Sequence, residues 1–402
     1  MFPGQGSVYV GMGKQLCEKH EIARRTFEEA SDAISLDLKK LCFSGELGEL
    51  TKTENAQPTI LTTGVAAYRV LQATTGFRPH YMAGHSLGEF TALTCANAVD
   101  LTDAVRLVRK RGELMRDAAG GEAGLMTAVG KLPKERILAI CAEISKPGCV
   151  VCVSNYNSPK QTVISGHKDA VIAAENRLAA MGAAVKRLNV SAPFHSPLMQ
   201  PAFTEFVEAL KECSFRSLEC AVLSNVTAVP HTEATLAENL AKQLISPVRW
   251  QESMEFLKQE RIRLAVDVGP GKVLKNLALS NFPSVKALAY DLPDDAIELE
   301  KLLDNDKPVP FISRCMGLAV ATRNLCEDES IYEERVVAPY RRLQAMQETV
   351  EAEERTASME EMLRAKELLL QIFEAKRIPA EEQESRLQRL YTDTETEHVF
   401  RN

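Results

Sequence analysis

The stretch Gly84-His85-Ser86-Leu87-Gly88-Glu89 constrains the fold of this chain more than any other. It stands between an apolar segment that reads as a strand, Tyr81-Met82-Ala83, and one that reads as a helix, Phe90 to Ala98. A Gly-x-Ser-x-Gly at such a junction is a nucleophile elbow. The turn is so tight that only glycine fits at both flanks, and the serine is held at its tip. The following helix aims its first N–H groups at any oxyanion that forms beside the serine. By composition alone the motif arises by accident in roughly one chain in twenty of this length, so it needs support from elsewhere.

The chain has 402 residues, 45% of them hydrophobic and 26% charged, enough for one large domain with an addition, or for two domains. It contains no apolar run long enough for a membrane span and no secretory signal, so no membrane association is expected. Ten cysteines are scattered without a framework, which fits a reducing, cytoplasmic location. Cys149-Val150-Val151-Cys152 matches C-x-x-C, but it lies in strand-like sequence without a second pair and reads as two buried strand thiols. No metal site is expected. Residues 327–402 carry nineteen acidic and eleven basic side chains, a net charge of −8, whereas residues 1–326 come to +1. Neither part has the basic face of a nucleic-acid binder.

Residues 1 to about 120 alternate helical periodicity with short apolar runs, including a helix at Gln57–Ala73. From about 122 to 190 strands are expected at Gly124–Val129, Cys149–Asn155 and Thr162–Ser165. Helices are expected between them near Lys134–Ile144 and Lys168–Met181, a βαββαβ-like order. The α/β pattern resumes with a helix at Met199–Cys213 and strands at Ala221–Ser224 and Leu264–Val268. The last runs into Gly269-Pro270-Gly271-Lys272, which lacks phosphate-loop spacing and reads as a structural turn opening a helix. Charge and proline around Asp304–Pro310 mark a boundary, followed by helices at Tyr332–Glu353, after a Ser358/Glu361 capping box, and at Ala380–Tyr391. The expected class is α/β: an α/β-hydrolase-like core with a parallel sheet over 1–121 and 191–303, an inserted ferredoxin-like small subdomain over 122–190, and a helical C-terminal extension over 304–402.

A serine nucleophile needs a base and oxyanion donors. Of the seven histidines, His85 adjoins the serine but is pinned in the elbow, facing away from the hydroxyl. His20, His80, His231 and His398 stand in polar sequence and read as exposed surface residues, and His167 as a turn residue. His195 lies in Ser191-Ala192-Pro193-Phe194-His195-Ser196-Pro197, a loop stiffened by two prolines; it reads either as a positioned base or as a surface loop histidine. No acid stands out as a third triad member, so a backbone carbonyl is a candidate to orient the imidazole. Arg111, with Arg106, Arg109 and Lys110 around it, reads from the residues alone as a solvated helix charge.

Taken together the motifs resemble the malonyl-CoA:acyl carrier protein transacylases of fatty-acid and polyketide synthesis, over about residues 1–295. The similar segments are Phe2-Pro3-Gly4-Gln5-Gly6-Ser7, Gly84 to Glu89, Arg111-Gly112, Asn155-Tyr156-Asn157-Ser158-Pro159 with Val163-Ile164-Ser165-Gly166, Pro193-Phe194-His195-Ser196, Gln243 to Trp250, and Val268 to Lys272, in the family's order. The resemblance implies that Ser86 is the acylated nucleophile and His195 its general base, then acid. It implies an oxyanion hole from Gln5 and the Leu87 N–H, and orientation of His195 by the main-chain carbonyl of Gln243. Arg111 would grip the free carboxylate of a malonyl group. A bidentate guanidinium suits that task, because burying an unpaired carboxylate costs several kcal/mol. Phe194 and Leu87 resemble malonyl-selective rather than methylmalonyl-selective members. The implied partners are malonyl-CoA and an acyl carrier protein, with no resident cofactor.

Three departures follow. Family members carry apolar residues ahead of the Phe-Pro-Gly-Gln signature, whereas here Met1 directly precedes Phe2. The first core strand is therefore expected to be absent under Gln5, either because the start is placed too far downstream or because the sheet has lost a strand. Val8 replaces a common glutamine, and the region from about 305 has no counterpart in the minimal family enzyme. Two rival readings stand beside transfer: a serine thioesterase or hydrolase that releases acyl groups to water, and an assembly component whose helical extension mediates docking or self-association.

Overall fold

The computed structural model describes residues 1–118, 124–190, 192–305, 309–353 and 355–400. Ser191 and His398's side chain, and residues 121–123 and 306–308 at the expected boundaries, lie outside the described residues. The chain divides into two compact units, Met1–Leu303 and Asp304–Asn402.

The first unit is built around short parallel strands. β1 (Tyr81–Ala83) is followed by β2 (Leu125–Gly130), β3 (Val151–Ser158), β4 (Gln161–Gly166), β5 (Ala184–Arg187), β6 (Ala221–Leu223), β7 (Leu264–Asp267) and β8 (Lys286–Ala289). β1 pairs in parallel with β6, and β7 with β8. Met1 and Phe2 lie between the two pairs. Phe2 N–H donates to Ala83 O at 2.9 Å beside a parallel bridge from Phe2 to Gly84, and Val268 N–H donates to Met1 O at 2.8 Å. The position of the expected missing strand is thus held by a two-residue bridge. Phe2 is 1% exposed and packs edge-on against Tyr68.

Long helices cover these strands. Thr53–Thr75 extends beyond the expected Gln57–Ala73 at both ends and carries Pro58 in its second turn. The bond that proline cannot make there leaves Glu54 O to accept from Arg109 Nη1 at 2.9 Å. Leu87–Cys95 begins three residues earlier than the apolar periodicity suggested, directly after Ser86. Leu101–Ala118 buries Val105, Val108 and Met115 on the face that meets Thr53–Thr75. The two helices approach closely at Gly112, where a Cβ would stand 2.6 Å from Glu54 Cα.

The segment from β2 to β5 forms a four-stranded antiparallel sheet in the order β3-β4-β2-β5. Helices Lys134–Ile144 and Lys168–Ala180 lie against it, with Ile137, Val171, Ala174 and Leu178 in a separate apolar cluster. Tyr156 N–H donates to Val248 O and Val248 N–H to Ser154 O, both at 2.9 Å, which fastens β3 to the loop before helix Trp250–Gln259. Cys152 sits half-buried in β3, but Cys149 falls in the turn before it, bridged to Lys146. The pair is therefore not two buried strand thiols, because β3 starts only at Val151. Gly269 to Lys272 is a turn ahead of helix Val273–Asn281, whose first N–H groups are capped by Asp267.

The second unit is helical, with its own core of Cys315, Leu343, Leu369, Ile372, Phe373 and Leu390. Ser358 and Glu361 form the capping box of helix Met359–Ala375. Helix Phe311–Ala321 was not anticipated from the sequence, and the expected Tyr332–Glu353 helix starts earlier, at Glu329–Tyr332, and passes through a π-turn at Glu333–Val337 into Ala338–Ala352. No helix among the described residues is long and apolar enough to cross a membrane.

Candidate active site

Ser86 holds a backbone conformation that L-residues rarely adopt, with φ +53° and ψ −106°. Two features make it tenable. A Cβ on Gly84 would lie 1.8 Å from Gly88 C, and one on Gly88 1.9 Å from Phe2 O, so only glycines allow the turn to close. Asn225, just after β6, supplies the second: its Oδ1 accepts from Ser86 N–H at 2.6 Å and its Nδ2 donates to Gly84 O at 2.7 Å. The Ser86 N–H is thereby engaged. The Leu87 N–H opens the helix and has no intrahelical acceptor, which leaves it available to an oxyanion.

His195 is brought to the serine from the proline-stiffened loop. It too has a positive φ, +56°, and is 4% exposed, so the surface-histidine alternative falls. Its Nε2 lies 2.7 Å from Ser86 Oγ and its Nδ1–H donates to Gln243 O at 2.8 Å. The carbonyl fixes the tautomer with an unprotonated Nε2, the state that can accept the serine proton. Burial, and then the nearby charge of Arg111, push this imidazole down to about 3. His85 points away, with Nε2 at 2.8 Å from Asn157 Oδ1 and its ring beside Trp250.

Arg111 is not a solvated helix charge. It is 1% exposed, with the guanidinium over the Phe90 ring at 5.3 Å. Nη1 donates to Gln57 Oε1 at 2.7 Å, and Nη2 to Gln243 Oε1 at 2.8 Å and Ser86 Oγ at 3.2 Å. Nε is buried without a partner. Burial lowers its pKa to about 10, opposed by the charge of Glu89, so it remains a cation at neutral pH. Gln5 makes no hydrogen bond to Ser86 here. Its Oε1 accepts from Thr53 Oγ1, which also accepts from Gln57 Nε2, so it reaches the site through the partners of Arg111.

Three residues escaped the sequence reading. Asn225 gave no signal beyond following a strand. Glu89 belonged to the elbow motif, but nothing assigned it a partner. His231 was expected on the surface and is in fact buried: Nε2–H donates to Glu89 Oε1 at 2.6 Å with both side chains 0% exposed. The cause is long-range, since His231 N–H bonds to Val222 O and draws the segment onto β6. Among the described residues no group of three or more His, Cys, Asp or Glu could hold a metal ion.

A serine on an elbow paired with a buried histidine, with a helix N-terminus behind it, defines an enzyme of the serine acyl-transfer class. A family model described as acyl transferase domain matches residues 1–288, and the chain belongs to that family of acyltransferases. A Bacillus subtilis malonyl CoA-acyl carrier protein transacylase is 40% identical over 95% of this chain and 97% of its own length, so the C-terminal extension has a counterpart there. The Escherichia coli K12 enzyme of that name is 41% identical over 73% of this chain and 95% of its own. Among solved structures, the malonyl CoA-acyl carrier protein transacylase of Coxiella burnetii superposes with a TM-score of 0.73. It is 38% identical and covers 75% of this chain and 96% of its own. A malonyl-transacylase solved with its type II polyketide acyl-carrier protein gives 0.72 at 37% identity, over 76% and 98% of the two chains.

Proposed function

We propose that the enzyme transfers a malonyl group from malonyl-CoA, through an ester on Ser86, to the phosphopantetheine thiol of an acyl carrier protein. The observation that carries this reading is the buried guanidinium of Arg111, 3.2 Å from the nucleophilic oxygen. A cation so placed suits an acyl group that carries its own carboxylate, and an acetyl group would leave it unanswered.

In the first half-reaction His195 Nε2 takes the Ser86 proton as Oγ attacks the thioester carbonyl. The oxyanion develops against the Leu87 N–H, with Gln5 as the second donor in this reading. The tetrahedral intermediate collapses, the C–S bond breaks, and the imidazolium returns its proton to the coenzyme A thiolate. In the second half the carrier thiol gives its proton to His195 and attacks the ester, and the proton then goes to Ser86 Oγ as it leaves. Both halves use the same serine, imidazole and donors, and neither needs a prosthetic group of this chain.

Names of the relatives support the substrate pair, and a transacylase solved with its carrier supports the acceptor class. We read the inserted sheet as ferredoxin-like on its strand order, and the core as α/β-hydrolase-like on its elbow and parallel strands. Ten free cysteines favour a cytoplasmic setting. Exposed Val320, Ile331 and Met359 support self-association through the helical extension, which comparing the solution mass of the full chain with one ending at Leu303 would test.

Intact-mass measurement after incubation with malonyl-CoA tests the main reading. The protein gains one malonyl group, loses it on addition of a holo carrier protein, and gains none as Ser86→Ala. Labelling that persists in Ser86→Ala, or steady release of malonate with none on the carrier, overturns it.

A further inference from the structure

Arg111 is a buried cation whose hydrogen-bond acceptors, Gln57, Ser86 and Gln243, are all neutral. Such a group is costly unless an opposite charge answers it. Glu89, 0% exposed in the first turn of the elbow helix, is the acid whose field reaches it. The Gln243 carboxamide stands between them, with Oε1 accepting from Arg111 at 2.8 Å and Nε2 donating to Glu89 Oε2 at 2.5 Å. Both charges favour that orientation, because reversing the amide would set its NH₂ against the guanidinium and its oxygen against the carboxylate. Glu89 is held at both oxygens, Oε1 by His231 Nε2–H and Oε2 also by Asn225 N–H at 3.2 Å. It cannot turn to meet Arg111 directly.

We propose that Glu89 is the fixed counter-charge of Arg111, relayed through Gln243 and locked by His231, and that this arrangement sets the preference for acyl donors bearing a free carboxylate. The inference rests on the reading of Arg111 as the donor's clamp. A direct Glu–Arg pair would satisfy the cation and close it to the donor. The amide spacer keeps the guanidinium charged and aligned while leaving it without a carboxylate of its own, a vacancy the donor fills. Glu89 and His231 are thus positioning residues, acting on the substrate through Gln243 and Arg111.

The test is the ratio of kcat/KM for malonyl-CoA to that for acetyl-CoA, with acyl-Ser86 formation by intact mass replacing turnover where turnover is slow. The ratio divides out the folded fraction, so a poorly folding variant still reports. Glu89→Gln keeps the shape, removes the charge and lets the Gln243 amide reverse; the ratio falls at least about tenfold. His231→Leu frees the carboxylate to pair with Arg111 and compete with the donor, and the ratio falls likewise. His231→Gln retains a donor and restores it. A native ratio in Glu89→Gln and His231→Leu, or equal loss toward both donors, overturns the inference. Arg111→Ala is measured alongside: if it keeps the native ratio, the clamp reading fails, and if it loses the ratio while the Glu89 and His231 variants do not, only the counter-charge fails.

Discussion

The guanidinium of Arg111 donates a hydrogen bond to the Oγ of Ser86 at 3.2 Å, so in the resting site this buried cation touches the elbow serine itself. The same charge disfavours the imidazolium of His195. A donor carboxylate that engages Arg111 takes a hydrogen bond off the nucleophile and offsets the charge opposing the base. Recognition and activation are then one event, and discrimination between donors falls on the chemical step as well as on binding.

Replacing Arg111 by alanine should therefore lower kcat/KM for malonyl-CoA by about 100-fold, the scale of a charge-assisted pair, with kcat falling as well as KM rising. The acetyl-CoA value should stay at or above that of the native enzyme, because the hydrogen bond on Ser86 and the charge opposing His195 are lost with the side chain. Steady-state kinetics with both donors checks this, and an effect confined to KM would return Arg111 to passive binding.

The pH dependence follows from His195, whose pKa lies near 3 in the resting site against an ordinary value of 6.5. Because the folded value is the lower one, the imidazole is neutral and competent throughout the mildly acidic range. The profile of kcat/KM should show no limb at 6.5. In Arg111→Ala an acidic limb should move upward, since one cause of the depression is gone. The same shift makes stability fall as pH drops from about 6.5 toward 3, because the unfolded chain takes up the proton first. Thermal unfolding across that window reads the sign.

Asn225→Ala removes the acceptor of Ser86 N–H and the donor to Gly84 O. Two backbone groups lose partners and the strained serine relaxes, at a cost of about 2–4 kcal/mol in stability. kcat should drop with KM little changed, because the group lost orients the nucleophile and touches no donor. Denaturant titration and kinetics on one preparation measure both effects.

Gly112→Ala places a methyl group 2.6 Å from Glu54 Cα and 2.8 Å from Thr53 O, both backbone atoms that cannot step aside. Helices Thr53–Thr75 and Leu101–Ala118 must separate, costing about 1–3 kcal/mol. Gln57 and Arg111 ride on those helices, so the malonyl-to-acetyl preference should fall together with the melting temperature.

The elbow and the base loop were legible because each is a local pattern whose residue types serve a local geometry, whereas Arg111 read from the residues alone as a solvated helix charge and took its role only from the family resemblance. Gly84 is demanded by atoms within a few residues, those of Gly88 and Glu89, and the prolines around His195 stiffen their own loop. Glu89, His231 and Asn225 were not legible for the opposite reason. His231 lies 142 residues from Glu89 and sits beside Thr232 and Glu233, so its sequence surroundings are polar while its burial comes from pairing with β6. The helix after Ser86 was placed three residues late because Gly88 weakens helical propensity, whereas here it is the close approach of Phe2 that requires the glycine. The two-residue bridge at Met1 and Phe2 is made by hydrogen bonds to Ala83, Val266 and Val268 that no hydropathy window could register.

The tie between Ser86 and Asn225, 139 residues apart, also bears on how the enzyme is born. A ribosome releasing this chain exposes the serine long before Asn225 and Gln243 leave the exit tunnel. Until they do, the elbow lacks its pins and the imidazole its carbonyl. A nascent chain halted at residue 220 carries Ser86 as an ordinary hydroxyl, with no strain held and no thioester at risk of wasteful hydrolysis. Reactivity arrives only when the core closes, so the order of synthesis itself keeps the nucleophile silent until the site around it is whole.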